Sequence, residues 1–330
     1  MMHALPFRST GTVTSGILDL VHGDLVSMPV ASASGYHYFV AFHDNASGFH
    51  AAYLLRKKSD TFAAFTNFHA WAEQQTGRKL RAFHDDKGGE FIGNEWSALF
   101  SRLGVQRRHT TRNHPQQNGV AERANRTIVE AIAAALAESG LPHSFWAECL
   151  ASFIHVWNRL PSSSTAARAT ATTPYELWFG RKPDLAHLRV WGCRAYAHVQ
   201  RDKRSKLDWH MVPCIFIGYP DDFRGWKFWD PASKRSFVSE RSEFDERYFP
   251  LSKLNAGVPR LVPLSPSSPI TEDDGPTFPS LDAQPSNRDA PELPLQPVKQ
   301  VRFLVNYPGQ PPGHGGQPRP DPTKSVTRHG

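Results

Sequence analysis

Residues 37–56, HYFVAFHDNASGFHAAYLLR, decide the fold that this chain is expected to adopt. They contain two runs rich in aromatic and apolar residues, His37–Asp44 and Phe49–Arg56, on either side of the polar segment Asn45–Gly48. Such runs favour β-strands, whereas Asn, Ser and Gly favour a tight turn between them. The stretch therefore predicts a β-hairpin.

The sequence on both sides of this hairpin extends the pattern. The preceding segment 17–25, ILDLVHGDL, alternates as a strand does, and the following segment 60–75 repeats apolar residues at helical spacing and stops near Gly77. The further predicted elements are strands at 79–86 and 105–110 and helices at 94–103 and 116–139. The order β-β-β-α-β-α-β-α predicts an α/β fold, a mixed five-stranded sheet with flanking helices.

The rest of the chain changes character twice. A helix is predicted over 143–160 and a short one over 174–180, and short β segments separated by turns then follow from Cys193 to Phe249. Residues 251–330 hold 16 of the 27 prolines, which is typical of a disordered tail. The predicted organisation is an N-terminal extension (1–16), an α/β core (17–142), a helical extension and linker (143–192), a small β-barrel module (193–250) and the tail (251–330).

Composition excludes several classes of protein. The chain of 330 residues has a net charge of +7, which permits a polyanionic partner. Its three cysteines form no CxxC pair, which argues against a disulfide scaffold and a cysteine-rich zinc module. It contains no run of 18 apolar residues and no apolar signal-peptide segment, so neither a membrane partner nor secretion is expected.

Three carboxylates stand where the predicted core could bring them together. Asp24 lies near the end of the first strand, Asp86 ends the fourth strand, and Glu122 follows after 35 intervening residues at the start of the long helix. Converging carboxylates repel one another, and divalent cations with oxygen ligands such as Mg²⁺ remove that repulsion. Each Asp taken alone is better explained as a turn or cap residue, so the three acids are interpreted as a set, and Asp19 and Asp44 compete with Asp24 for the first position.

Basic and amide side chains surround the same region. The helix 116–139 is predicted to bury a stripe at Val120, Ala124, Ile128, Ala131 and Ala135, with Asn118, Glu122 and Arg126 on the opposite face. Residues 101–126 hold six arginines against one acid, which suits DNA phosphates, although a solvated helix face is the plain alternative. The aromatic residues of 209–249 are interpreted as the core of the small module. The predicted nucleic-acid contacts are Arg107, Arg108, Arg112, Asn118, Arg123, Arg126, Lys203 and Arg204.

Two motifs resemble a known family. Residues 84–91, HDDKGGEF, and 115–127, PQQNGVAERANRT, resemble the integrase of Ty1/copia-type LTR retrotransposons. The resemblance continues through VHGDL (21–25), TPYELWFGRKP (173–183) and WGCRAYAHV (191–199), and it covers about residues 17–250. It implies an RNase H-like catalytic core, a triad of Asp24, Asp86 and Glu122 that binds two Mg²⁺ or Mn²⁺ ions, and an SH3-like module after the core.

The resemblance also implies an activity and partners. The family's integrases trim the 3′ ends of element DNA and join them to target DNA, so the expected partners are both DNAs, with RNA as a further polyanion. The active form is expected to be a homo-oligomer that passes from the cytoplasm to the nucleus.

The sequence departs from the family pattern in two ways. Lys87 replaces the family's asparagine, and no cysteine precedes Cys149, so a zinc site is not expected and the chain is interpreted as a fragment. The alternatives are an inactive remnant that only binds nucleic acid and a nuclease that cuts without joining.

Overall fold

The structure, a computed structural model, describes residues 16–85, 91, 93–109, 119–161, 172–199, 209–220, 223–253 and 302–303. Over these ranges the chain forms a mixed sheet between two helical layers, followed by a second, antiparallel sheet. No helix in the described part of the chain is long and apolar enough to cross a membrane.

The mixed sheet confirms the predicted core. Its strands are β1 (Val21–Ser27), β2 (Tyr38–Asp44), β3 (His50–Leu55), β4 (Ala82–Asp85) and β5 (Gln106–His109), in the spatial order β3-β2-β1-β4-β5. The first three strands are antiparallel, and β1, β4 and β5 run parallel to one another. The hairpin between β2 and β3 closes over the predicted turn at 45–48, because Asp44 accepts hydrogen bonds from the turn.

Helices cover both faces of this sheet. The helices are α1 (Thr61–Thr76), α2 (Asn94–Leu103), α3 (Gly119–Ser139), α4 (Trp146–Trp157) and α5 (Pro174–Phe179). Side chains of α1, α2 and α5 form one buried cluster with the sheet, and those of α3 and α4 form another on the opposite face. The left-handed glycines Gly77, Gly104 and Gly180 end α1, α2 and α5, as a residue without a Cβ can at low cost.

The buried face of α3 differs from the prediction by about one residue. Its buried residues are Ala121, Asn125, Ile128, Ile132, Leu136 and Ser139, and the predicted positions Val120, Ala124, Ala131 and Ala135 are half-buried. The correction has a physical reason: the long aliphatic side chains repeat at i, i+4 and i+8 from Ile128, and alanines flank them on both sides. The polar Asn125 lies on the buried face because it has a hydrogen-bond partner in the sheet.

The second sheet is the small β module. Its strands β6 (Arg194–His198), β7 (Met211–Gly218), β8 (Trp226–Asp230), β9 (Arg235–Ser239) and β10 (Ser242–Asp245) take the order β10-β6-β7-β8-β9. Most of its aromatic residues pack inside, as predicted, but Trp209 is 81% exposed and is an exception.

Strand β7 joins the module to the core. Cys214 and Phe216 face the module's own cluster, whereas Ile215 and Ile217 pack among residues of α3 and α4. Lys227 and Glu148 add an ion pair across the contact at 3.6 Å. The two sheets are therefore held together by a strand that is buried on both faces.

A short strand from the far end of the chain completes the mixed sheet. Strand β11 (Arg302–Phe303) pairs antiparallel with β3, with Arg302 opposite Leu54 and Phe303 opposite Tyr53. The prediction of a disordered tail is therefore wrong for Arg302 and Phe303.

Four histidines form a row across the face of the mixed sheet that α3 and α4 cover. His50, His43, His22 and His84 are cross-strand neighbours in β3, β2, β1 and β4, and adjacent ring centroids are 4.3, 6.3 and 5.1 Å apart. Trp157 of α4 stacks on His50 at 4.1 Å. Burial lowers the pKa of His50 from 6.5 to about 3 and also lowers the pKa of His43.

This burial predicts acid sensitivity of the fold. Because the unfolded His50 takes up a proton below about pH 6.5 and the folded one resists until about pH 3, stability is complete above pH 6.5 and is lost as the pH falls through that window. At pH 5 the loss from His50 amounts to about 2 kcal/mol. Denaturant unfolding at pH 7 and pH 5 measures it, and His50→Phe should flatten the slope whereas exposed His143→Gln should not. Equal slopes in all three proteins would contradict the prediction.

A second prediction concerns Gly23 of β1, which packs closely against the ring of Phe83. A Cβ at this position would lie 2.4 Å from Cζ of the buried Phe83 ring. Gly23→Ala is therefore expected to lower the free energy of unfolding by about 1–3 kcal/mol through overpacking. Urea unfolding measures the change, and Gly119→Ala, which meets no atom within 4 Å, is the control. A cost no greater than the control's would show that Phe83 moves aside freely.

Candidate active site

Asp24 lies on the face of β1 that α3 covers. It is half-buried, and its Oδ2 accepts a hydrogen bond of 2.8 Å from Nδ2 of Asn125. Asn125 is only 7% exposed, so this bond is shielded from water. The contact fixes the direction of the Asp24 carboxylate and ties α3 to β1.

Glu122 lies in the first turn of α3, three residues before Asn125. Residues three apart are neighbours on a helix surface, so Glu122 is next to Asn125 on α3. Its side chain is exposed, as a group that meets a ligand from solvent must be. Asp86, the third predicted carboxylate, lies outside the described residues.

The two competitors of Asp24 have structural roles. Asp44 is 1% exposed and accepts hydrogen bonds from the Leu18 amide and from the amide and hydroxyl of Ser47. Burial raises the pKa of Asp44, and these hydrogen bonds oppose that shift. Asp19 accepts from the Gly16 amide and pairs with Arg81 at 3.2 Å. Of the three aspartates, Asp24 is therefore the one placed beside the start of α3.

Arg107 belongs to a buried ion pair. Its Nε donates to Oδ2 of Asp85 at 2.8 Å, and Asp85 is fully buried. The same guanidinium donates to the carbonyl of Phe91 and lies over the Phe100 ring of α2. One side chain thus joins the two residues that flank the segment 86–90, on the sheet face opposite α3.

The other predicted nucleic-acid contacts are in different places. Arg108 is half-buried and follows Arg107 in β5, so strand alternation directs it to the α3 face. Arg123 and Arg126 are exposed near the start of α3. Arg112, Asn118, Lys203 and Arg204 lie outside the described residues. DNA contact by these residues stays a prediction, and Arg107 already has other partners.

Of the three carboxylates predicted to bind metal, Asp24 and Glu122 lie within the described residues. The described residues contain no group of three or more His, Cys, Asp or Glu side chains that could hold a metal ion. The set of carboxylate oxygens from Asp24 and Glu122 nevertheless has the donor chemistry that Mg²⁺ and Mn²⁺ prefer.

Sequence reasoning missed the roles of Asn125 and Asp85. Asn125 stands in the quoted motif three residues after Glu122, and a buried amide on an apolar helix face indicates a specific partner. No signal in the sequence singled out Asp85 over its neighbour Asp86.

Comparisons with known proteins agree with this architecture. Residues 193–256 match the family described as the retroviral polymerase SH3-like domain. The chain is 40% identical over 245 residues to the retrovirus-related Pol polyprotein from transposon TNT 1-94 of Nicotiana tabacum, which covers 74% of this chain and 18% of that protein. It is 28% identical over 284 residues to the Pol polyprotein from transposon RE2 of Arabidopsis thaliana, covering 86% and 19%.

Solved integrase structures are also similar. The catalytic core domain of BIV integrase aligns with a TM-score of 0.36 and 20% identity, covering 49% of this chain and 95% of that chain. A chain of the simian T-cell lymphotropic virus intasome in complex with PP2A regulatory subunit B56 gamma aligns with a TM-score of 0.43 and 14% identity, covering 74% of this chain and 84% of that chain.

The chain spans about a fifth of the length of the curated relatives that it matches. Within that span, the region that matches the SH3-like family follows the α/β core. By sequence and architecture, the chain belongs to the integrase region of the Ty1/copia-type retrotransposon Pol polyproteins.

Proposed function

We propose that this chain catalyses metal-dependent 3′-end processing and strand transfer of element DNA into target DNA. The observation that carries the proposal is the hydrogen bond from Asn125 to Asp24, which ties the first turns of α3 to β1. Glu122 stands three residues before Asn125 in the same helix, and its exposed side chain is open to a DNA strand.

The pairing of β1 with β4 supports the inclusion of Asp86 in the proposed site. These strands are parallel, with His22 opposite His84. Asp24 and Asp86 each follow these histidines by two residues in the sequence. This common spacing supports the proposal that both aspartates contribute to one metal site.

The carboxylate donors suit two Mg²⁺ or Mn²⁺ ions, which when bound would activate the attacking oxygen and stabilise the leaving oxygen at phosphorus. The protein's own residues have separate tasks. Asn125 orients Asp24. The exposed Arg123, next to Glu122 in the sequence, and Arg126, about one helical turn after Glu122, offer positive charge to the DNA backbone. We propose that the active form is a homo-oligomer on DNA that acts in the nucleus after synthesis in the cytoplasm.

An inactive remnant that only binds nucleic acid is the second candidate. It is favoured by Lys87, which follows Asp86 directly in the sequence. A lysine ammonium beside the metal ligands would compete with divalent cations for the carboxylates.

Glu122→Gln separates catalysis from binding. It keeps the shape of the side chain but removes a charged ligand, so joining and end trimming should fall at least 100-fold with Mg²⁺ or Mn²⁺. DNA affinity should persist or rise slightly, since a charge that repels phosphate is lost. Labelled terminal-repeat DNA reports all three quantities, and Glu130→Gln, an exposed position on α3, is the matched control. If Glu122→Gln joins DNA as well as the control does, Glu122 is no metal ligand.

The neighbours Arg107 and Arg108 should respond in opposite ways. Arg107→Ala leaves Asp85 buried without its ion pair, so the free energy of unfolding should fall by roughly 3 kcal/mol. Arg108→Ala should leave stability nearly unchanged and weaken DNA binding, lowering the slope of log affinity against log salt by about one unit. Urea unfolding and fluorescence anisotropy at several salt concentrations measure these effects. A stable Arg107→Ala protein with a reduced salt slope would mean that Arg107 contacts DNA instead.

A further inference from the structure

Strand β3 is followed by a basic run of three residues, Arg56, Lys57 and Lys58, which begins the connection to α1. All three side chains are exposed. Among the described residues, no ion pair involves this basic run, whereas six other basic side chains pair with acids: Lys79, Arg81, Arg107, Arg189, Lys227 and Arg247. The nearby Asp60 accepts a hydrogen bond of 3.0 Å from the Lys57 backbone amide. The basic run therefore presents its charge to solvent, where it attracts anions.

Arg56 is held on the connection between β1 and β2. Its Nη2 donates to the Ser34 carbonyl at 3.0 Å, and its Cζ lies 5.2 Å from the centroid of the Tyr36 ring. Gly35 has a left-handed φ of 77°, and a Cβ there would lie 3.0 Å from Nη1 of Arg56. A guanidinium has five N–H donors, so its bond to Ser34 fixes the group and leaves donors for an anion.

Lys58 is directed by an aromatic ring as well. Its Nζ lies 5.9 Å from the centroid of the Tyr38 ring, at the first residue of β2. A cation over a ring face is attracted to it, so the ammonium stays near the end of the sheet. The basic run is thus positioned at both of its ends, by Tyr36 and by Tyr38.

The strand register puts the basic run at the same end of the sheet as Asp24. Tyr38 of β2 is opposite both Ser27 of β1 and Leu55 of β3, and both of these strands are antiparallel to β2. Asp24 comes three residues before Ser27, and Arg56 comes one residue after Leu55, so Arg56 lies about 13 Å further along the strand direction. Two strand spacings add about 10 Å sideways, which puts the two Cα atoms about 16 Å apart.

This separation has a simple meaning on DNA. Each strand of a duplex carries one phosphate per about 3.4 Å of axis, so about 16 Å corresponds to four to five nucleotides. A duplex with a phosphorus atom at Asp24 therefore has other phosphates at the distance of the basic run. End trimming needs element DNA and water and no second DNA, so the element end is the DNA that lies here in both reactions.

We propose that the basic run Arg56–Lys58 binds the phosphate backbone of the element end, about four to five nucleotides from the bond that reacts. The inference rests on the proposed function, because the distance is counted from the candidate active site. Contacts to phosphates position a duplex without reading its sequence. The basic run therefore sets how far the DNA end extends into the site.

Charge removal in the full chain tests the basic run. Lys57→Ala with Lys58→Ala removes two exposed charges and keeps Arg56 on the β1–β2 connection. With a labelled terminal-repeat duplex and no divalent metal, the affinity should fall roughly 10-fold at low salt, and the slope of log affinity against log salt should fall by about two units. Arg78→Ala with Lys79→Ala removes the same charge before β4, at the other end of the sheet, and is the matched control. Fluorescence anisotropy measures both variants, and equal losses in the two would overturn the proposal.

Neutral methylphosphonates in the element DNA locate the contact. Each replaces one charged phosphate, one position at a time, over about ten nucleotides from the reacting bond. At about four to five nucleotides, the replacement should weaken binding by the unmodified chain and by the control, and should have no further effect on the Lys57→Ala, Lys58→Ala protein. Such a difference is a coupling between the lysines and that phosphate. The same effects at all positions in all three proteins would overturn the proposal.

The two reactions identify which DNA occupies the basic run. At limiting DNA, the rate of end trimming should fall roughly 10-fold in the lysine variant, and so should the joining of trimmed ends. Unchanged trimming with slower joining would overturn the proposal, because the occupant would then be target DNA. Binding is measured without metal and without turnover. A chain that neither trims nor joins would thus contradict the proposed function, while the anisotropy and methylphosphonate results would still decide this proposal.

Discussion

The architecture depends on a sheet that has no face suited to water. Phe42 and Phe83 pack under α1 and α2, while Phe39 and the histidine row lie under α3 and α4. Each uncovered face would expose several aromatic side chains, at about 25 cal/mol per Å² of apolar surface. Helices on both sides are therefore obligatory. The same close packing explains the glycine at position 23 of β1, because a Cβ there would clash with the ring of Phe83.

At the candidate active site, the contact between the sheet and the helix that covers it is polar rather than apolar. Along the α3 face, His22 of β1 is buried and His84 of β4 is half-buried, and Asp24 lies two residues beyond His22 on the same face of β1. α3 adapts by placing one amide, Asn125, in an otherwise aliphatic buried face. A buried amide without a partner would cost about 1–3 kcal/mol, so the pair with Asp24 fixes the position of α3 along β1 as well as the carboxylate itself.

The sequence predicted what short-range patterns determine. The β2–β3 hairpin, the glycine stops and the order of elements along the core follow from alternation, turn residues and helical periodicity, and the structure agrees with them. The buried face of α3 was misplaced because alanines flank Ile128, Ile132 and Leu136 on both sides, so two neighbouring stripes fit the sequence pattern. Strand β11 depends on an edge about 250 residues earlier in the chain, which no local pattern reveals.

The contact between the core and the SH3-like module shows that the module is not a structurally independent unit. Residues 193–256 are a unit by sequence, yet Ile215 and Ile217 are each 1% exposed only because α4 lies against them. Gly218 continues that contact so closely that a Cβ would lie 2.6 Å from the hydroxyl of Ser152. A module that swung away would expose both isoleucines and strip α4 of its cover, at a cost of roughly 1.5–3 kcal/mol for each isoleucine. The module is therefore fixed on the core. Any DNA that contacts both parts must fit their relative positions, because the packing of β7 against α4, rather than the length of a linker, determines those positions.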